Sequence, residues 1–195
     1  MTISAFAIDP LPFGWLSPIE ADLLAALAVE KVVLEIGSFL GRSTIILARH
    51  AQLVVSIDHH RGSGEHQPGQ PDCRSDVLNR HGVVDTAPAF LENITNAGVR
   101  QRVVPFVGSI ETAGALLAPE RFDLVFVDGE HSRQATLDAG AIAFRLAKRD
   151  GILAFHDVGD RAFPGVADAV ATLAGTFGAR SVRQAGSIVA LQRQV

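Results

Sequence analysis

Short, almost unbroken apolar runs alternate along this chain with longer stretches whose apolar residues recur every three or four positions. Five of the runs, Val32–Ile36, Leu53–Ile57, Val103–Val107, Phe122–Val127 and Ile152–Phe155, are rich in β-branched side chains. Runs of that length and composition predict strands covered on both faces, and therefore a parallel sheet. The amphipathic stretches predict helices over Pro18–Ala28, Arg42–His50, Thr86–Ala97, Glu111–Leu117, Ser132–Leu146 and Gly165–Gly175. Ser17 can cap the first of these, with Pro18 at the first helical position. At the end the pattern changes. Arg180–Gln184 and Ser187–Gln192 read as two strands joined tightly at Ala185-Gly186. The result is an α/β chain expected to form a Rossmann-like three-layer αβα sandwich. Its seven-stranded, mostly parallel sheet would close on an antiparallel C-terminal hairpin, in a single domain over 1–195.

One segment breaks the rhythm. Asp58–His81 is polar and rich in Gly, His and Pro, and is expected to be a lid-like or oligomer-contact insertion at about 59–81. The histidines of its Asp58–Cys73 part, His59, His60 and His66, match no closed zinc spacing.

Composition narrows the class. Hydrophobic residues make up 48% of the 195, enough for a packed core. The formal net charge of −4 provides no basic field for a phosphate backbone, so nucleic acid is not the expected partner. No apolar stretch reaches the roughly 20 residues that span a bilayer, and Met1–Leu16 lacks the plan of a secretory leader. The lone Cys73 rules out an internal disulfide framework, and a cytoplasmic setting is expected. Phe13 and Trp15 offer an apolar contact through which two copies could form a homodimer.

The strongest chemical signal follows the first strand, in Leu34-Glu35-Ile36-Gly37-Ser38-Phe39-Leu40-Gly41-Arg42-Ser43. Gly37 lets the chain turn sharply and lets a ligand approach the backbone. Gly41 permits close packing as the helix begins, where free N–H groups favour an anion, and Ser43 adds a hydroxyl. About twenty residues on, Asp58 ends the second strand, placed to accept hydrogen bonds from ribose hydroxyls. A dinucleotide turn would need glycine at the middle position, to admit a pyrophosphate. Phe39 fills it, so a ligand without pyrophosphate fits better than NAD, although an NAD-dependent oxidoreductase remains the alternative enzyme class.

Leu34–Ser43 resembles motif I of the class I S-adenosylmethionine-dependent methyltransferases, and Ile57–His59 resembles the acidic motif that follows it. Val107-Gly108-Ser109 and Phe122–Asp128 match that family's third and fourth strand ends, so the resemblance covers about residues 18–193. Within the family the chain is most similar to the metal-dependent macrocin and catechol O-methyltransferases. The resemblance implies that Glu35 contacts the methionine amine, that Asp58 with His59 holds the ribose, and that Gly108, Ser109 and Ile110 flank the adenine. Gly37, Ser38, Phe39, Gly41, Ser43 and Asp128 complete the implied cofactor site.

The second constellation lies at two strand ends, Val127-Asp128-Gly129-Glu130-His131 and Phe155-His156-Asp157. In a parallel sheet both face one crevice, where Asp128, His156 and Asp157 could bind one divalent cation, Mg²⁺ or Mn²⁺. The resemblance implies the same three as metal ligands, although the family's pair is usually two acids, or an acid with an amide. It also places His131 at the catalytic position three residues past the strand aspartate. A hydroxyl acceptor must lose its proton during methyl transfer, and His131 titrates near neutrality and could take it. Plain helix capping competes with these roles for Asp128, His131 and Asp157. The expected reaction is O-methylation of a small hydroxylated molecule, with a non-catalytic cofactor-binding protein as the alternative outside enzymes.

Overall fold

The computed structural model describes residues 11–70 and 73–194. The leader reading, which rests largely on residues 1–10, therefore lies mostly outside the described residues. Among those described, no helix is long and apolar enough to cross a membrane.

The elements run α1 (Pro18–Ala28), β1 (Val32–Ile36), α2 (Arg42–His50), β2 (Leu53–Asp58), α3 (Ala87–Asn96), β3 (Val103–Val107), α4 (Ile110–Leu116), β4 (Phe122–Val127), α5 (Arg133–Leu146), β5 (Ala147–Phe155), α6 (Pro164–Phe177), β6 (Ala179–Ala185) and β7 (Ile188–Arg193). One seven-stranded sheet has the order β3-β2-β1-β4-β5-β7-β6. The first five strands are parallel, as in Val33 beside Val54 on one side and Leu124 on the other. β7 enters antiparallel between β5 and β6, with Leu153 opposite Leu191.

The side-chain period of a strand divides the core between the two faces. Val33, Leu124 and Phe126 pack with Leu24, Leu47 and Phe90, under α1, α2 and α3. Their neighbours Leu34, Val125 and Val127 point the other way, to Phe144, Val170 and Leu173 of α5 and α6. Strands buried on both sides follow directly from the continuous apolar runs.

Most element ends fall within one or two residues of expectation, and two differences bear on the structure. β5 begins at Ala147 rather than Ile152, and its register against β4 shifts between Phe122 and Leu124. The polar triplet Lys148-Arg149-Asp150 hides that start, while Lys148 Nζ pairs with Asp123 Oδ1 at 2.7 Å. The hairpin turn is Gly186-Ser187, since Ala185 pairs with Ile188. Gly186 is required there: its φ is +56°, and a Cβ would come within 2.4 Å of Glu20 Oε1. At the opposite edge, β3 carries Pro105 beside Ser56 and leaves Val104 and Val107 exposed.

Candidate active site

A cavity of about 1000 Å³ opens at the carboxyl ends of the parallel strands, where ligands of open α/β sheets bind. Its walls include Ser38, Phe39, Ser43, Asp58 and His59 on one side, Gly108, Ser109 and Ile110 beyond them, and Asp128, His131, His156 and Asp157 on the other.

The glycine turn forms the junction between these walls. Gly37 has φ +86°, and a Cβ there would lie 1.9 Å from the carbonyl oxygen of Asp128, so only glycine lets β1 pass so close to the end of β4. Asp58 braces this turn from the end of β2. Its Oδ2 accepts from the backbone N–H groups of Ser38 and Phe39, both at 2.8 Å, and its Oδ1 accepts from His60 N–H at 2.6 Å. The carboxylate therefore holds the turn in place. Ser38 Oγ is buried beside it without a hydrogen-bond partner among the described residues. Phe39 has φ +47°, and its ring stacks on His66 at 5.5 Å between centroids.

Two residues expected at the cofactor do not line the cavity. Glu35 is fully buried in β1, where its carboxylate accepts from Ser43 Oγ at 2.6 Å and Thr44 Oγ1 at 2.5 Å. Burial pushes its carboxyl up to about 7, against those hydroxyls, with the charge of Asp128 adding to the rise. Side chains alternate along a strand, so Glu35 points into the α2 layer and not out of the strand end. Gly41 sits at the N-terminus of α2 with φ +90°, and a Cβ there would press on Phe90. Its role is packing.

The acid and histidine wall is crowded. One ligand atom from each of Asp128, His131 and Asp157 lies within 4.8 Å of the others, an arrangement able to hold a metal ion. His156, expected as the third ligand, lies behind this trio with a buried side chain. Its Nδ1 is 3.2 Å from Asp128 Oδ1 and 3.0 Å from Asp157 Oδ2, while its Nε2 faces Glu20 Oε2 at 3.6 Å. Burial would depress this imidazole, but Asp128 and Asp157 outweigh it and hold the ring up at about 11. Burial would likewise raise Glu20, yet hydrogen bonds from Ser17 and Ser187 hold it down at about 2. Asp157, which has φ +58°, is also lowered: the two histidines overcome the effect of burial.

His131 bridges two carboxylates. Its Nε2 lies 3.1 Å from Asp157 Oδ2 and its Nδ1 lies 2.9 Å from Glu65 Oε1, with Phe163 packed on the ring at 4.1 Å. Burial lowers its pKa, but these acids outweigh burial and raise it overall. Neither Glu20 nor Glu65 was expected at this site. For Glu20 the capping pattern Ser17-Pro18-Ile19-Glu20 was a local signal, while nothing in the sequence ties Glu65 to a residue 66 positions away. His59, His60 and His66 are not brought together as a metal site. His60 is buried against Thr86 Oγ1 at 2.7 Å, and His66 packs on Phe39 and Trp15. Phe13 and Trp15, expected as a contact for a second copy, line the cavity mouth, 5.0 Å apart edge to face.

This strand order, closed by an antiparallel hairpin and carrying a two-glycine turn at the carboxyl edge, belongs to the class I S-adenosylmethionine-dependent methyltransferases. A family profile described as a methyltransferase domain matches residues 34–158, and the chain belongs to that family. Among solved structures, cofactor-bound Rv0187 from MTB is 25% identical, with a TM-score of 0.63 over 95% of this chain and 84% of that one. An O-methyltransferase from Bacillus cereus in complex with SAH is 20% identical, with a TM-score of 0.64 over 94% and 84%. The O-methyltransferase TomG from Streptomyces achromogenes, in complex with SAM, is 21% identical, with a TM-score of 0.62 over 92% and 82%. The chain is thus a methyltransferase of the class its sequence resembles.

Proposed function

We propose that this methyltransferase methylates a hydroxyl group of a small molecule with the help of a divalent cation. The observation that carries the reading is the trio Asp128, His131 and Asp157, gathered in the same cavity as the glycine turn. Two hard carboxylates suit Mg²⁺ or Mn²⁺ better than a soft metal, and the imidazole of His131 stands beside them as a base.

The residues present fit the methyl donor. The Gly37–Phe39 backbone lies open to the cavity, and Ser38 brings a buried hydroxyl that has no partner among the described residues. Asp58 retains lone-pair capacity, since three of about four acceptor positions on a carboxylate are used. His59, Gly108, Ser109 and Ile110 continue that wall and would face the nucleoside. S-adenosylmethionine would supply an activated methyl group, and a cation would lower the pKa of the acceptor hydroxyl.

The chain does the rest. Asp128 and Asp157 would hold the cation, each fixed by His156 behind them, so that the carboxylates are oriented before any ligand enters. His131 Nε2 faces the same point and would take the hydroxyl proton. The walls hold donor and acceptor in one cavity, which supplies much of the rate through orientation.

The test is calorimetry with S-adenosylmethionine, its demethylated product and NAD, followed by transfer to a panel of hydroxylated small molecules with and without chelator. The expected result is affinity for the first two alone, and transfer that chelator removes and Mg²⁺ or Mn²⁺ restores. Turnover indifferent to chelator would overturn the cation's part, and no affinity for either nucleoside would overturn the whole.

A further inference from the structure

The turn Gly64–His66 of the insertion spans the cavity mouth and touches both walls. On one side the His66 ring packs against Phe39 and, at 5.4 Å, against Trp15. On the other, Glu65 Oε1 meets His131 Nδ1 at 2.9 Å. The turn is tied to itself: Ser63 N–H donates to His66 Nδ1 at 3.2 Å, and the Gln67 amide donates to the carbonyls of Arg61, Gly62 and Ser63. Glu65 is thus delivered by a braced segment and, with a side chain 23% exposed, is largely out of water.

We propose that Glu65 is a positioning residue for methyl transfer: it holds the Nδ1–H of His131 and so turns Nε2 toward Asp128 and Asp157. The inference rests on the proton-accepting role proposed for His131. An imidazole has two nitrogens, and the partner of one decides which carries the lone pair. Asp157 also faces Nε2, at 3.1 Å, but it belongs to the acids that would hold the cation. Glu65 stands outside that trio and keeps the proton on Nδ1, which leaves Nε2 as the basic atom. His66, docked on Phe39 and Trp15, keeps Glu65 against Nδ1, so the insertion is part of the reacting site as well as a cover for it.

Three variants test this: Glu65→Gln, whose amide oxygen still accepts from Nδ1–H, Glu65→Ala, which removes the acceptor, and His131→Asn, which assigns the ring signals. In ¹H–¹⁵N spectra of the unliganded protein, a slowly exchanging Nδ1–H signal of His131 is expected in wild type and Glu65→Gln and lost in Glu65→Ala. In turnover, Glu65→Ala is expected to lose about tenfold or more in kcat, with affinities for S-adenosylmethionine and Mn²⁺ within about twofold of wild type and most of kcat recovered in Glu65→Gln. An unchanged ring spectrum in Glu65→Ala overturns the proposal, as does a wild-type kcat in that variant. If wild-type protein binds no S-adenosylmethionine or transfers no methyl group, the proposed function fails instead, and the ring spectrum still decides whether Glu65 holds His131.

Discussion

Around the glycine turn, carboxylates are matched by neutral donors of the chain itself: Asp58 by three backbone amides, and Glu35 by the hydroxyls of Ser43 and Thr44. At the ends of β4 and β5, carboxylates are matched by histidines, with His156 among Asp128, Asp157 and Glu20, and His131 between Asp157 and Glu65. Backbone amides and hydroxyls carry no net charge and are fixed once the chain folds. Imidazoles balance charge, and that balance changes when a cation or a proton arrives. The turn is a finished scaffold, and the acid wall is the adjustable part.

The largest effect that would sharpen this contrast is expected from Asp157→Asn, which keeps the shape and tolerates the left-handed backbone. Methyl transfer should fall about a hundredfold or more, while calorimetry finds S-adenosylmethionine affinity within about twofold. A matching loss of cofactor affinity would erase the division between the walls.

Next comes Glu35→Gln. The folded carboxyl sits at about 7 against an ordinary 4.5, so its contribution to stability is complete below pH 4.5 and is lost as pH rises through 7. At 1.36 kcal/mol per pH unit the loss approaches about 3 kcal/mol by pH 8. Urea denaturation should show wild type losing about 2–3 kcal/mol relative to Glu35→Gln between pH 5 and pH 8, the first part of the loss having already occurred at pH 5. Equal losses in the two proteins would show that Glu35 does not titrate in this range.

Asp58→Ala should weaken S-adenosylmethionine binding and also cost about 1–3 kcal/mol of folding stability, because the turn amides lose their acceptor. Weakened binding with unchanged stability would make Asp58 a ligand contact only. The smallest effect is expected from Ser17→Ala at the start of α1, about 1 kcal/mol in denaturation. Methyl transfer should hold to within about twofold, since Ser187 still holds Glu20.

The sheet was legible because each strand is a compact β-branched run covered on both faces, and the helices between carry clear periodicity. β5 was read short because a polar triplet interrupts it. Local motifs brought the glycine turn, Asp58 and the strand-end acids to one crevice. They did not show which way a side chain faces: Glu35 lies one residue short of the strand end and points inward, and His156 is the buried backing of the acids. Glu65 was beyond reach, because its importance comes from a loop crossing the cavity and not from any spacing along the chain.

Pro105 has a consequence beyond the pocket. Gly108 N–H donates to Asp58 O, and amides alternate in direction along a strand, so the nitrogen of Pro105 falls on the outer side of β3. A position that would offer a donor to a neighbouring molecule offers none. Continuing the sheet from copy to copy along that border is thereby discouraged, which keeps an exposed, valine-bearing margin from seeding fibrous stacking.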